Sequence, residues 1–406
     1  MNMKKKIGVI FGSRSCEREV SIISAVQLMR YPDKEKYDVI PVYIDETGEW
    51  YTGEPLKDIR SFKPFDPSAK GIIKVIPDLS GGSGALLHLK KDSGLFAKEK
   101  LEIAARIDVY IVVMHGMNGE DGTLQGLLEL AKIPYTSTGV TGSAVGMDKI
   151  IMKQCFSGAG FPVLPGKWFT RTQFEADSGF VLTSVKKELG FPVFVKPANL
   201  GSSIGVSRAD NEDELKDSLS LAFEYDRRVL VEKGLDQPIE LNCSVLGYDD
   251  EVKASPIEMP INHSEFLDFR DKYLEGGGSK GMASLSRILP APIDEGLKNE
   301  IQDMSIRIFK LLDCKGVVRI DYMFDRVSEK LFITEINTIP GSLAFYLWEK
   351  DGVSYTELID KMIEYAETAY QDKNHTNYAY TSDILKNASL GSKGSKGTKG
   401  AVAAKR

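Results

Sequence analysis

"FITEINTIPGSLAFYLWE", residues Phe332–Glu349, decides how the rest of the chain is read. Glu335 and Asn337 stand two apart in an apolar run, so on an extended strand both side chains leave from one face. Pro340 and Gly341 then end the strand in an exposed turn. An ordinary half-buried strand whose polar face meets water produces the same alternation. Other stretches must decide between the two readings.

The first of these is "CKGVVRIDYMFD" (Cys314–Asp325), where Arg319 and Asp321 are again two apart on an apolar strand. Laid beside the Glu335–Asn337 strand, Asp321, Glu335 and Asn337 make a cluster of hard oxygen ligands. Such a set suits magnesium held jointly with nucleotide phosphates. A purely structural Arg–Asp pair is the competing reading, since buried charges need partners. "VKPANLGSSIGVSR" (Val195–Arg208) supplies a phosphate side. Lys196 ends an apolar strand, and the small residues Gly201–Gly205 lead to the next one. Backbone N–H groups and hydroxyls in such a loop, with a lysine beside them, suit phosphate oxygens; a plain turn is the alternative. The stretch does not follow the GxxxxGK[ST] pattern, which disfavours a P-loop fold.

Two further stretches lie in the first third. "SRSCEREVS" (Ser13–Ser21) opens a helix after the first strand. Glu17 there reads either as a cap on the helix amides or as the contact for a substrate ammonium group. "MHGMNGEDGTLQG" (Met114–Gly126) puts His115 just off a buried strand, ahead of a Gly-rich run into a helix. A helix N-terminus at that point favours an anionic group.

At 406 residues the chain calls for two or three domains, and 42% apolar with 27% charged residues is ordinary globular composition. No run approaches the ~18 apolar residues of a membrane span. The apolar Ile7–Phe11 is too short for a secretory core and reads as a first buried strand. Four scattered cysteines without a CxxC pair point to reduced thiols in a cytoplasmic protein. The net charge of −6 includes a basic Gly/Ser/Lys tail from Gly391, so the body is more acidic still, which argues against a nucleic-acid partner. The tail is low complexity and packs no core; it reads as a basic arm for an anionic surface or as a solvated end.

Ile7–Phe11, Val39–Ile44 and Val109–Met114 read as buried strands, and Leu124, Leu127, Leu128 and Ala131 recur at helical spacing. That alternation predicts a parallel, doubly wound sheet with ligands at the carboxyl ends of its strands. Between about Gly53 and Gly94, clusters of Pro, Gly and Ser suggest surface excursions. Phe191–Lys233 reads strand, Gly-rich loop, strand, helix, strand. A third unit starts near Pro238 and ends with a helix over Tyr355–Tyr370.

In order, "CEREVS", "HGMNGEDGTLQG", "YTSTGVTGSAVGMDK", "FPVFVKPANLGSSIGVSR", "VLVEKGL", "IELNCSVLG", "DFRDKY", "VRIDYMF" and "EINTIPG" resemble the D-alanine–D-alanine ligase family of ATP-grasp enzymes. The resemblance covers about residues 5 to 370. The HGxxGEDGTLQG motif is specific by its length, whereas "VRID…EINT" alone marks only the ATP-grasp superfamily. The resemblance implies an α/β and α+β architecture of three domains. An N-terminal parallel, doubly wound domain (1–145) carries the first-substrate side, and a central subdomain (146–235) carries the phosphate loop. A C-terminal subdomain (236–370) carries metal and catalytic residues, and a basic tail spans 371–406.

It also implies that ATP lies between two antiparallel sheets, with Lys149 and Lys196 at the α- and β-phosphates and Ser202–Ser203 over the γ-phosphate. Lys272 would reach the phosphates, Glu232, Lys233 and Leu235 would form the adenine connection, and Glu240 would hold the ribose. Asp321, Glu335 and Asn337 would hold two Mg²⁺ ions, or Mn²⁺. Glu17, oriented by Ser202 and Tyr273, would bind the first substrate's ammonium, with His115 near its carboxylate. Arg319 and the Gly341 amide would stabilise a tetrahedral oxyanion. The implied reaction joins two D-amino acids through an acylphosphate for peptidoglycan precursor synthesis; a homodimer is expected only because two-fold dimers are the commonest soluble assembly. Two departures stand out. Relatives read "PGFTSxSxxP", with a serine for the second substrate's carboxylate; here "PGSLAFYLWE" leaves Ser342 or Tyr346 as substitutes. "LDF" (Leu267–Phe269) replaces "YDY", while Tyr273 argues against D-lactate use. The expectation is a strict first site and a weaker or looser second site, the alternative being a ligase of the same fold that joins another pair.

Overall fold

β1 (Lys5–Gly12) is buried from Ile7 onward with Val and Ile on both faces, which is how a central parallel strand reads. In the computed structural model, which describes residues 3–91, 99–261, 287–377 and 380, it does sit between two parallel neighbours. β2 (Tyr37–Ile44) sets Val39 opposite Ile7 on one side, and Val109 stands opposite Ile7 on the other. The chain leaves β1 through Gly12, whose φ of +95° and contact with the Ile44 carbonyl exclude any side chain. It then enters α1 (Arg18–Leu28).

Beyond β2 the sheet turns antiparallel. β3 (Trp50–Thr52), β4 (Ile73–Pro77), β5 (Ala85–Lys91) and β6 (Glu99–Arg106) extend it, and β7 (Val109–Val112) closes the far side, giving the order β6-β5-β4-β3-β2-β1-β7. The sheet is therefore mixed, where strand–helix alternation predicted a parallel one. The segment expected to be surface excursions contributes β4 and β5. Antiparallel neighbours need only turns between them, so the Pro, Gly and Ser clusters there mark turns within a sheet.

α2 (Thr123–Ala131), α3 (Val140–Met147) and α4 (Lys149–Gly158) lead to a second sheet. It contains β8 (Gly166–Thr170), β9 (Val193–Pro197), β10 (Ser207–Ala209) and β11 (Arg228–Lys233) in the antiparallel order β10-β9-β11-β8. The helices α5 (Arg171–Ala176), α6 (Ser178–Glu188) and α7 (Glu212–Tyr225) belong to it; Val181, Leu215 and Leu219 pack on Val193, Val195 and Val231. The strand–loop–strand–helix–strand reading of Phe191–Lys233 is what forms. A third sheet, order β13-β12-β16-β17, joins β12 (Ile239–Tyr248), β13 (Glu251–Ala254), β16 (Gly316–Asp325) and β17 (Lys330–Asn337). A short ribbon, β14 (Met259–Pro260) with β15 (Arg287–Ile288), stands beside β12, and the helix Glu295–Leu311 covers the sheet with Ile301, Ile308 and Phe309.

Met1–Tyr370 form one compact unit and Gln371–Arg406 another. Within the first, the chain finally returns to where it began. Leu343 to Trp348 and the helix Tyr355–His375, through Leu358, Ile359 and Met362, share one apolar core with β1 and α1. That helix, expected to end at Tyr370, continues to His375. The tail from residue 381 lies outside the described residues.

Trp348 is the largest fully buried side chain, and its indole Nε1 donates to Ser244 Oγ at 3.0 Å. Trp348→Ala should cost about 3–5 kcal/mol, by lost transfer energy and an unfilled cavity. Urea unfolding checks this: the midpoint should drop while the slope stays that of the wild type.

Candidate active site

The pairing of β16 with β17 puts Asp321 opposite Glu335 and Arg319 opposite Asn337, so all four side chains share one face. Arg319 grips Asp321 with two bonds, Nε to Oδ1 at 2.6 Å and Nη2 to Oδ2 at 2.7 Å. Asn337 Nδ2 donates to Asp321 Oδ2 at 3.0 Å. Burial pushes the Asp321 carboxyl up, Arg319 opposes it, and the charges of Glu335 and Glu258 add to the rise. Among the described residues no group of three or more His, Cys, Asp or Glu side chains converges on a metal site. The donor set is two carboxylates and an amide, which fits a hard cation that completes its shell with phosphate oxygens.

Lysines face this cluster from α4. The helix starts where it does because Asp148 caps it, its Oδ1 accepting the Ile150 and Ile151 amides at 3.1 Å each. The other Asp148 oxygen takes the Arg228 guanidinium, and the Lys149 amide donates to the Ala198 carbonyl at 2.9 Å. A lysine in a first helical turn opposes the macrodipole, so its position needs another cause. Its Nζ lies 3.1 Å from Glu335. Burial disfavours that charge, but Glu335 outweighs it and the pKa is raised.

Lys153, one turn on and on the same face, pairs with Glu232 and donates to the Ile333 carbonyl at 3.3 Å. Glu232 is wholly buried and also takes Lys196 at 2.7 Å. Burial drives Lys153 down; it would also drive Glu232 up, but the two lysines prevail and hold that carboxyl below its usual range. Glu232, singled out for an adenine connection, carries a buried lysine bridge. Lys233 ends β11 and Leu235 lies between β11 and β12; the Lys233 amide donates to the Pro165 carbonyl and the Gly234 amide to the Pro192 carbonyl. Glu240 is the second residue of β12, half-buried and opposite Met323.

The Gly-Ser loop reaches across to α1. Ser202 and Ser203 both adopt left-handed angles, φ +53° and +58°, and Ser202 Oγ donates to Glu17. Glu17 stands at the N-cap position of α1 yet accepts no capping bond, so the cap reading is set aside. A Cβ on Gly116 would lie 2.5 Å from Glu17 Oε2, and one on Gly201 2.7 Å, so two bare glycines let the loops close around this carboxylate. Glu120 accepts the amides of Gly116 at 2.8 Å and Ile339 at 3.1 Å; burial, then the Glu17 charge, pushes it up to about 8.

Two of the residues singled out from the sequence, His115 and Ser342, hydrogen-bond within the protein. His115 commits both nitrogens inside the protein. Its Nδ1 donates to the Ile339 carbonyl at 3.0 Å, which can only accept, so Nε2 accepts from Ser24 Oγ at 3.2 Å. Burial lowers its pKa to about 4. It stands as a neutral strut under the turn after β17. Ser342 turns towards α1: its amide donates to Ser24 Oγ at 3.3 Å and its hydroxyl to Gln27 at 3.0 Å. Of the two substitutes for the missing serine, only Tyr346 faces the Arg319 side, where its hydroxyl donates to Glu258 at 3.0 Å. Lys272, Tyr273 and Leu267–Phe269 lie outside the described residues. Lys153, Glu120, Glu258 and Arg287 were missed from the sequence. Only Lys153 had a signal, its four-residue spacing from Lys149.

A family model described as "D-ala D-ala ligase N-terminus" matches residues 6–138, and one described as "D-ala D-ala ligase C-terminus" matches residues 155–364. A D-alanine–D-alanine ligase of Acetivibrio thermocellus is 40% identical over 92% of this chain and 98% of its own length. Among solved structures, the VanG D-Ala:D-Ser ligase of Enterococcus faecalis is 32% identical with a TM-score of 0.74, covering 90% of this chain and all of that one. The D-alanine-D-alanine ligase of Coxiella burnetii is 27% identical with the same TM-score, over 91% of this chain and 96% of that one.

The His115 strut makes stability pH-dependent. Its folded pKa near 4 lies below the ordinary 6.5, so between those values the unfolded chain binds the extra proton. Stability should therefore fall as pH drops from about 6.5 to about 4, by on the order of 3 kcal/mol. Denaturant titrations at pH 4.5 and 7 on wild type and His115→Gln check it, because the variant should lose that part of the slope. Identical pH dependence in both proteins would assign the slope to other groups.

Proposed function

The chain belongs to the D-alanine–D-alanine ligase family, an ADP-forming ligase family with the ATP-grasp fold, and we propose that it joins two D-alanine molecules at the expense of ATP. The observation that carries this reading is the closure of Ser202 on Glu17. It sets a carboxylate suited to an amino-acid ammonium group against a Gly-Ser loop suited to a terminal phosphate. An enzyme that phosphorylates an amino acid's own carboxylate needs those two sites adjacent.

The first D-alanine places its ammonium on Glu17 and its carboxylate towards the Ser202–Ser203 loop. A carboxylate oxygen attacks the γ-phosphorus of ATP, the bond to the β-phosphate oxygen breaks, and an acylphosphate and ADP result. The amine of the second D-alanine, as the free base, then attacks the acyl carbon. Arg319 and the Gly341 amide meet the oxyanion, and inorganic phosphate leaves. Two anions must approach each other in the first step, so Lys149 and Lys196 answer the phosphates. Asp321, Glu335 and Asn337 would hold magnesium, which supplies further positive charge against that repulsion. Glu232, Lys233 and Leu235 border the adenine, and Glu240 meets the ribose.

The dipeptide is the building block of a peptidoglycan precursor, and the proposed setting is a homodimer in the cytoplasm, two-fold dimers being the commonest assemblies. No helix among the described residues is long and apolar enough to cross a membrane.

Phosphate release and dipeptide formation with ATP and Mg²⁺, across a panel of D- and L-amino-acid pairs, test the reading. D-alanyl-D-alanine is the expected product, and no dipeptide from any pair sinks it. Glu17→Gln should raise KM for the first D-alanine roughly 10- to 100-fold, the worth of a charge-assisted contact, with KM for ATP nearly unmoved. Small, equal effects on both substrates would return Glu17 to a structural role.

A further inference from the structure

Beside Arg319 stands a cluster that the reaction as described does not use. Glu258, 3% exposed, receives three donors. Asn242 Nδ2 and the Tyr346 hydroxyl each donate to its Oε1 at 3.0 Å, and Arg287 Nη1 donates to its Oε2 at 3.0 Å. The guanidinium carbon of Arg287 lies 3.8 Å from the centre of the Tyr346 ring, a cation–π stack. Asn242 stands directly opposite Asp321 on β12, and its backbone exchanges two hydrogen bonds with Glu258, at 2.9 and 3.0 Å. The cluster is therefore fixed to the same strands that carry Arg319 and Asp321. Tyr346 follows Gly341 by five residues, so the stack also borders the turn that carries the Gly341 amide.

The second substrate reacts as a free amine, so its one remaining charge is its carboxylate. An anion entering an enclosed site without a counter-charge is costly. The serine expected for it is absent, Ser342 faces α1, and Arg319 is already held at both Nε and Nη2 by Asp321. A guanidinium carries five N–H donors in a planar fork that matches a carboxylate. We propose that Arg287, aimed by Glu258 across the Tyr346 ring, receives the carboxylate of the acceptor amino acid. This rests on the ligase reading. Glu258 and Tyr346 are positioning residues for it. The site takes α-amino acids with a free carboxylate beside the attacking amine.

D-alaninamide separates the acceptor site from the first site, because it has no carboxylate to phosphorylate and enters only as acceptor. With D-alanine and D-alaninamide competing, mass spectrometry reads the partition between D-alanyl-D-alanine and its amide. Partition is independent of how much enzyme is folded and of first-site or ATP affinity. Wild type should favour D-alanine, Arg287→Gln should lower that preference roughly 10- to 100-fold, and Arg287→Lys, which keeps the charge without the fork, should fall between them. A wild-type partition in whichever variant turns over would overturn the role of Arg287 and leave the ligase reading standing. Absence of any dipeptide from wild type would overturn both.

Discussion

The register of β16 on β17 is the constraint on which the site depends. A slip of one residue would carry Glu335 and Asn337 to the opposite face and leave Asp321 facing apolar side chains. The other face of the same strands prevents it. Val318, Ile320, Ile333 and Ile336 are buried in the core beneath the helix Glu295–Leu311, and Ile320 pairs with Ile336. The register shifts just after Asp321, where Thr334 Oγ1 donates to the Asp321 carbonyl at 2.8 Å. The apolar side of the sheet thus positions the polar side, and the carboxylates stay opposed because their neighbours cannot leave the core.

From that fixed pair the charges spread outward in answering sets. Glu335 takes Lys149, and Glu232 takes Lys153 and Lys196. Asp321 takes Arg319, while Glu258 takes Arg287. Replacing a buried ion pair by well-packed apolar residues is often neutral or stabilising. Stability therefore does not account for so many ionised groups in one cleft. The proposed reaction, which brings a triphosphate, a carboxylate and an ammonium group together, would account for them, since lysines and carboxylates are the counter-charges such substrates need. The raised carboxyls of Asp321 and Glu120 belong to the same cluster: burial raises both, and neighbouring carboxylates, Glu335 and Glu258 for Asp321 and Glu17 for Glu120, add to the rise.

Much of this was legible in the sequence wherever chemistry and period coincided. Period two placed Arg319 with Asp321 and Glu335 with Asn337, and the strand–loop–strand pattern around Gly201–Gly205 located the loop that reaches Glu17. What escaped depended on contacts distant in sequence. Alternation shows that a segment is a strand but not which way its neighbour runs, so the antiparallel half of the first sheet was invisible. The partners of His115 lie at residues 24 and 339, and nothing near "MHGMNG" announces them. Glu258 and Arg287 meet only because β14 pairs with β15 across a long intervening segment.

The turn after β17 shows how strain and core burial combine. Ser342, Leu343 and Ala344 all adopt left-handed angles, with φ of 51°, 54° and 48°, and none is glycine. Each such residue costs about 1–2 kcal/mol, so the path persists only because its surroundings over-determine it. The Leu343 amide donates to Pro340 at 2.7 Å, Ser342 is tied to Ser24 and Gln27, and Phe345 stacks on Tyr355 with ring centres 4.4 Å apart. The Ser342 bonds and the Phe345–Tyr355 stack lead into α1 or the apolar core it shares. A right-handed path would rotate the helix Phe345–Lys350 about the turn and take Tyr346 away from Glu258. The left-handed path keeps Tyr346 and Arg287 on the Arg319 side while the Gly341 end stays over α1, the helix that Glu17 precedes. α1 and the turn after β17 are thereby one packed piece, so on the proposed reading the separation of the two amino acids would be set by that packing.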